Sequence, residues 1–258
     1  MATNGYIHDE HKHALRMPPV IILCGGKGTR LRDVSTLIPK PMVPIGDAPI
    51  LQHILELYKS YGVTQAILCL GYKGEVIREY FSKPGIVDGM EIIFADTGLE
   101  SQTALRIAIA TNKLKPDDTQ FFLTYGDGVA DLNIAELLAT HNRLGRLITV
   151  SAVHPPARFG EMIIDGDAVV EFREKPAVTH DYINGGFMVV ERKLAEELLS
   201  VDKNESFEFT TMPAAASAGD MSVYKHEGFW QCMDTPREYA YLNELWNAGH
   251  APWKKDTK

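Results

Sequence analysis

The chain has 258 residues, of which 45% are hydrophobic and 23% charged, and it carries a formal net charge of −8. That length accommodates one large α/β domain or two small ones, with the composition of a soluble globular protein. The acidic balance argues against a nucleic-acid-binding surface, and no apolar run reaches the length of a membrane span.

Residues 1–17 are polar, with His8, His11 and His13 set beside acidic residues. They lack the apolar core of a signal peptide and read as a flexible extension of a cytoplasmic protein. No second ligand cluster accompanies the three histidines, so a metal site there is not expected. The run Val20-Ile21-Ile22-Leu23 then reads as a buried parallel strand. It leads into Cys24-Gly25-Gly26-Lys27-Gly28-Thr29-Arg30-Leu31, where a first strand turns toward a helix. Backbone without Cβ atoms can approach a polyphosphate closely and aim its N–H groups at the oxygens. Lys27, Arg30, Arg32 and Lys40 add local positive charge suited to a small anionic ligand. The loop is not a Walker A motif, because Lys27 is followed by Gly28. Nor is it a dinucleotide fingerprint, whose third glycine position holds Leu31.

Further on, helical patterns over Ile50–Tyr61, Gly74–Phe81, Gln102–Asn112 and Ile134–Leu144 alternate with strand-like runs Ala66–Leu70, Glu91–Phe94 and Phe121–Tyr125. Gly46-Asp47-Ala48-Pro49 reads as a turn. Alternation of this kind implies a parallel sheet covered on both faces. After residue 145 the pattern changes. Leu147–Val153, Glu161–Ile164, Ala168–Phe172, Gly185–Val190 and Met221–His226 are short β-rich runs, with helical patterns at Leu194–Leu199 and Tyr239–Trp246. No linker or repeat divides the chain, so the expectation is one α/β domain over 18–258. Its sheet is Rossmann-like, mixed but mostly parallel and flanked by helices. A nucleotide-binding part (18–145) precedes a smaller β-rich part (146–258). Ligands in such sheets bind at the carboxyl ends of the strands, where the glycine turn falls. Cys24, Cys69 and Cys232 have no paired spacing and read as reduced and non-catalytic.

Two aspartates stand out. Asp127 closes the Phe121–Tyr125 run between Gly126 and Gly128, and Asp234 precedes the Tyr239–Trp246 helical pattern. Singly, they read as a turn residue and a helix N-cap. Beside a phosphate loop they match the one or two carboxylates with which Mg²⁺ is usually held on a nucleoside triphosphate.

The segment Gly25-Gly26-x-Gly28-Thr29-Arg30-Leu31, with Lys40-Pro41-Met42, resembles the signature of the sugar-phosphate nucleotidylyltransferases. Tyr125-Gly126-Asp127-Gly128-Val129-Ala130-Asp131 and Phe229-Trp230-Gln231-Cys232-Met233-Asp234-Thr235 are similar to the glucose-1-phosphate cytidylyltransferase branch. So are Gly71-Tyr72-Lys73-Gly74, Arg158-Phe159-Gly160, Glu174-Lys175-Pro176 and Ile183-Asn184-Gly185-Gly186-Phe187, and the likeness runs from about residue 19 to Lys254. The resemblance implies the nucleotide-diphospho-sugar transferase fold and Mg²⁺-dependent attack of a sugar 1-phosphate on CTP, with glucose 1-phosphate as first choice. It assigns Leu23, Gly25, Gly26, Gly28, Thr29, Arg30, Thr103 and Gly126 to the nucleotide. It assigns Tyr125, Glu174, Lys175, Asn184 and Gly186 to the acceptor. Arg30, Lys40 and Asp127 become catalytic, and Asp127 with Asp234 holds the metal. The resemblance also implies a homo-oligomer; Trp246 and Trp253 themselves read as C-terminal docking residues, open to a subunit interface.

One element departs from the family. Asp96-Thr97-Gly98 is intact, but the Thr-Gly-Gly turn that follows is Thr103-Ala104-Leu105 here. This leaves another sugar 1-phosphate, or a non-sugar phosphate or phosphonate, as alternative acceptors; separately, the same chemistry with another base such as guanine or uracil is the nearest rival. A non-catalytic nucleotide- or sugar-sensing module is the alternative of a different class. His53 reads as a packed helix residue, His154 as a residue able to approach the acceptor, and Trp230 as packing behind Asp234.

Overall fold

The computed structural model describes residues 16–26, 38–156, 160–174, 181–199 and 204–255. Residues 1–15 of the expected extension therefore lie outside the described residues, as do Gly28, Thr29, Arg30 and Lys175. Arg16 reaches Asp118 at 3.0 Å, and Met17 packs on the core.

The described elements begin with β1 (Val20–Leu23), a 3-10 turn at Lys40–Met42, β2 (Pro44–Ile45), β3 (Ala48–Pro49) and α1 (Ile50–Ser60). Then come β4 (Gln65–Leu70), α2 (Gly74–Phe81), β5 (Glu91–Asp96), α3 (Thr103–Thr111), β6 (Gln120–Tyr125), β7 (Gly128–Ala130), α4 (Ile134–Leu144) and β8 (Ile148–Val153). The remainder is β9 (Glu161–Asp165), β10 (Ala168–Arg173), β11 (Ile183–Glu191), α5 (Arg192–Leu199), a π-helix at Phe207–Thr211, α6 (Met212–Ser217), β12 (Met221–His226), β13 (Trp230–Cys232) and α7 (Pro236–Asn247).

Seven strands form the main sheet in the order β12-β8-β11-β6-β1-β4-β5. All neighbours are parallel except at β11, which runs antiparallel to both β6 and β8. The mixed, mostly parallel sheet expected from the sequence is thus present. β1 is fully covered because both of its faces meet helices. Val20 and Ile22 join one core with Leu51, Leu55 and Tyr58 of α1, whereas Ile21 and Leu23 join another with Ile107 of α3 and Phe121 of β6. Helix α1 is set by its apolar spacing, each buried Leu or Ile stabilising by about 1.5–3 kcal/mol. It starts after Pro49, and Gly46 (φ +59°) makes the β2–β3 turn that was read around Asp47.

Two features are not anticipated by the sequence. The π-helix and α6 fill a stretch for which the sequence offers no periodicity, and β7 pairs with β13 in a separate ribbon. Trp253, open in the sequence to a subunit contact, is 2% exposed and stacks on Phe229 within its own chain. Trp246 meets His53 edge-on at 4.8 Å between ring centroids.

His53 is packed, as expected, with Nε2 2.9 Å from the Ile45 carbonyl oxygen. Burial disfavours its charged form and outweighs the carbonyl contacts, so its pKa lies below the ordinary 6.5. The unfolded chain then binds a proton that the folded chain refuses as the pH falls through 6.5. Stability is expected to decline from pH 7 toward pH 5.5, read as the thermal midpoint, and to decline less in His53→Gln. An equal decline in both proteins would exclude His53 as the cause.

Candidate active site

At the carboxyl end of β1, Leu23 lies in register with Cys69 of β4 and Tyr125 of β6. The chain leaving β1 therefore passes between two neighbouring strand ends. The Gly126 N–H donates to the Leu23 carbonyl at 3.0 Å, and the Tyr72 N–H donates to the Gly25 carbonyl at 3.0 Å. A cavity of about 380 Å³ opens there, with Leu23, Gly25, Gly26, Lys40, Thr103, Arg106, Tyr125, Gly126, Asp127 and Ser206 in its wall. Two of these glycines are steric requirements. A Cβ on Gly25 would stand 2.1 Å from Arg106 Nη1, and one on Gly126 would stand 3.2 Å from both Cys24 Cβ and Pro41 Cγ.

Three distant segments bring together one cation and two carboxylates, of which Lys40 and Asp127 stand in the cavity wall. Lys40 begins the 3-10 turn and is only 8% exposed. Asp127 follows β6, and Asp234 follows β13. The β7–β13 ribbon brings the two together, aided by the Met233 N–H donating to the Asp127 carbonyl at 2.8 Å. Lys40 Nζ donates to Asp127 Oδ2 at 2.6 Å and also to Asp234 Oδ1. Burial works against the ammonium, but the charge and hydrogen bonds of Asp127, with those of Asp234, prevail and raise its pKa above the ordinary value. Asp234 is not the helix N-cap. Thr235 has that place, in a capping box where Glu238 Oε2 accepts the N–H groups of Asp234 (2.7 Å) and Thr235 (2.9 Å). The cap fixes the backbone and leaves the Asp234 carboxylate for Lys40.

Sequence reasoning missed two residues. Arg106 occupies a position that helical periodicity alone leaves undistinguished, yet it is 5% exposed. Its Nη1 donates to Thr97 Oγ1 at 2.7 Å and its Nε to the Ser101 carbonyl at 2.9 Å. Glu208, on the π-helix, accepts Tyr125 Oη (2.6 Å) on Oε1, and Thr103 Oγ1 (2.6 Å) and Ser206 Oγ (2.7 Å) on Oε2. Burial raises its pKa, but those three hydroxyls and a backbone contact outweigh it, and the carboxyl titrates below its usual range. Burial, then the charge of Glu208, raises the Tyr125 phenol.

The altered turn Thr103-Ala104-Leu105 is the first turn of α3 and is covered by residues 204–208. The Gln102 N–H donates to Asn204 Oδ1 at 2.6 Å, and the Ala104 N–H to the Glu205 carbonyl at 3.1 Å. Thr103 Oγ1 accepts the Phe207 N–H at 2.8 Å.

Of the residues assigned to the acceptor, Tyr125 lines the cavity, and a Cβ on Gly186 (φ +80°) would stand 2.7 Å from Tyr125 Cδ2. Asn184 Oδ1 accepts the Gly186 N–H at 2.8 Å. Glu174 follows β10, is exposed and is not in the cavity wall. His154 is held at 3.0 Å by Glu227, and Trp230 Nε1 donates to the Gly185 carbonyl at 2.7 Å. Cys24 and Cys69 are buried and all three cysteines are free thiols, with Cys24 in the cavity wall.

The family model for nucleotidyl transferases matches residues 19–246. The chain is 39% identical over 254 residues to a glucose-1-phosphate cytidylyltransferase of Salmonella typhi, covering 91% of this chain and 98% of that protein. HddC from Yersinia pseudotuberculosis, solved in complex with GMP-PN, aligns with TM-score 0.69 and 27% identity over 89% of this chain and 100% of its own. A UDP-glucose pyrophosphorylase solved with UDP-glucose aligns with TM-score 0.68 over 90% of this chain and 99% of its own; at 14% identity it shows the shared fold alone.

Proposed function

The chain belongs to the nucleotidyl transferase family, and from that premise we propose that it joins CTP to glucose 1-phosphate, giving CDP-glucose and pyrophosphate. The observation that carries this reading is the meeting of Lys40 and Asp127, both in the wall of the cavity beside the glycine turn, with Asp234. In this reading Leu23, Gly25, Gly26, Thr103 and Gly126 receive the nucleotide, with Gly28, Thr29 and Arg30 bearing on its terminal phosphates. Tyr125, Glu174, Lys175, Asn184 and Gly186 serve the acceptor. A phosphate monoester is largely dianionic near neutral pH, its second pKa being about 6. Its oxygen can therefore attack the α-phosphorus in line without a general base. Lys40 then does its work by neutralising charge that builds on that phosphate, while the glycine turn fixes the direction of approach.

Asp127 and Asp234 suit a divalent cation, since both already address the Lys40 ammonium. Among the described residues no group of three or more His, Cys, Asp or Glu is placed to hold a metal. Phosphate oxygens and water would complete the shell of Mg²⁺, as that ion prefers. When bound, it gathers the phosphate oxygens and offsets their charge. The reading extends to a homo-oligomeric cytoplasmic enzyme. Met162, Ile164, Val170 and Phe172, exposed on the β9–β10 ribbon, support the oligomer, and no helix among the described residues is long and apolar enough to cross a membrane.

The GMP-PN bound to the HddC structure favours a second reading with the same chemistry and a guanine nucleotide. Pyrophosphate release with Mg²⁺, comparing CTP, UTP, GTP, dTTP and ATP against a panel of phosphorylated acceptors, separates the two. Release is expected with CTP and glucose 1-phosphate; faster release with GTP would replace the first reading by the second. Absence of release with every pair would overturn both.

A further inference from the structure

Glu208 is not in the cavity wall, but Tyr125, Thr103 and Ser206, whose hydroxyls it accepts, are. We propose that Glu208 turns this stretch of wall into a surface that only accepts hydrogen bonds, so that the site selects acceptors by their hydroxyl donors. This deepens the proposed function and rests on it.

An ionised carboxylate has no proton to give, so every hydroxyl bonded to it must be the donor. Each hydroxyl has a single proton, and here each is committed to Glu208 at 2.6–2.7 Å. Only lone pairs of Tyr125 Oη and Ser206 Oγ are left for a ligand. Thr103 Oγ1 already spends one lone pair on the Phe207 N–H at 2.8 Å.

Such a wall favours a neutral polyhydroxylated phosphate. It opposes a carboxylate, a carbonyl or a fluorine at the same place, because each meets a lone pair and no proton. A sugar acid phosphate or a carboxylated phosphonate is therefore a poor acceptor. Glu208 acts through the other three side chains and is a positioning residue. Its oxygens also join the 204–208 segment, which covers the first turn of α3, to the end of β6. The replaced glycines of that turn and the orientation of the hydroxyls are thus parts of one local arrangement.

The test compares glucose 1-phosphate with its ring-position deoxyfluoro analogues and with glucuronic acid 1-phosphate, using CTP and the full chain. In the unaltered protein, fluorine at the contacted position is expected to lower kcat/KM at least tenfold, in the range of one hydrogen bond to a polarised partner. In Glu208→Gln the new amide donates to one hydroxyl, whose proton turns toward the ligand. The ratio of glucose 1-phosphate to the fluorinated acceptor should then fall about tenfold. That ratio does not depend on how much of the variant is folded. Tyr125→Phe and Ser206→Ala serve as second variants, and each should erase part of the discrimination. An unchanged ratio in all three variants overturns the proposal and makes Glu208 a structural brace. If no acceptor is turned over, the function proposed above fails. Calorimetric binding of the same acceptors then reads the ratio directly, and equal affinity for hydroxyl and fluorine, or no binding, overturns this inference too.

Discussion

Lys40→Met is expected to lower kcat by about 10²–10³, the range for removing one preorganised charged or hydrogen-bonding group from a developing oxyanion. Lys40 is 8% exposed and its ammonium is bonded to both Asp127 and Asp234, so its position is over-determined before any substrate arrives. Methionine keeps much of the stem and its packing but removes the charge. If Lys40 acts on the transition state, kcat falls while KM for CTP moves little. The substitution also leaves two carboxylates facing one another with no cation between them, so their mutual repulsion is uncompensated. Mg²⁺ then has more to offer the variant than the parent, since it replaces the missing ammonium. The thermal midpoint of Lys40→Met should rise further with added Mg²⁺ than that of the unaltered chain. Turnover within threefold of the parent would remove Lys40 from the mechanism. An equal Mg²⁺ shift in both proteins would separate the cation site from Lys40.

The parts of this arrangement legible in the sequence are those in which local pattern and final environment agree. Val20–Leu23 is apolar throughout because both faces of β1 are covered, and continuous apolar runs are what such strands require. Asp127 was marked by flanking glycines at a strand end. Asp234 had a competing reading as an N-cap, settled only by Thr235 taking that place with Glu238. Other parts depend on contacts between residues far apart in the chain. Arg106 is buried because Thr97 and Ser101 supply its acceptors, and helical periodicity carries no trace of them. Glu208 lies in a π-helix, whose spacing matches neither the helical nor the strand period. The antiparallel direction of β11 is likewise invisible locally. Its central residues are buried on both faces, so no alternation records which way the strand runs.

Gly25→Ala carries the other large expected effect, because a single methyl there has nowhere to go. Its Cβ would lie 2.1 Å from Arg106 Nη1 and 2.9 Å from the Gly71 backbone nitrogen. Arg106 cannot step aside freely, being tied to Thr97 Oγ1 at 2.7 Å, while Thr97 Oγ1 itself donates to the Leu70 carbonyl at 2.7 Å. Either the guanidinium loses a short hydrogen bond or the glycine turn shifts away from the ends of β4 and β6. Overpacking of this kind costs about 1–3 kcal/mol of stability. A displacement near 1 Å at the turn would lower kcat/KM for CTP about 100-fold. Gly26→Ala is the stability control, since a Cβ on Gly26 meets nothing within 4 Å. It should leave the unfolding midpoint unchanged while Gly25→Ala lowers it. Adding Arg106→Leu removes one of the two clashes, so Gly25→Ala should cost less in that background than in the parent, as expected for residues in contact. Strict additivity would mean that the turn is held by something other than Arg106.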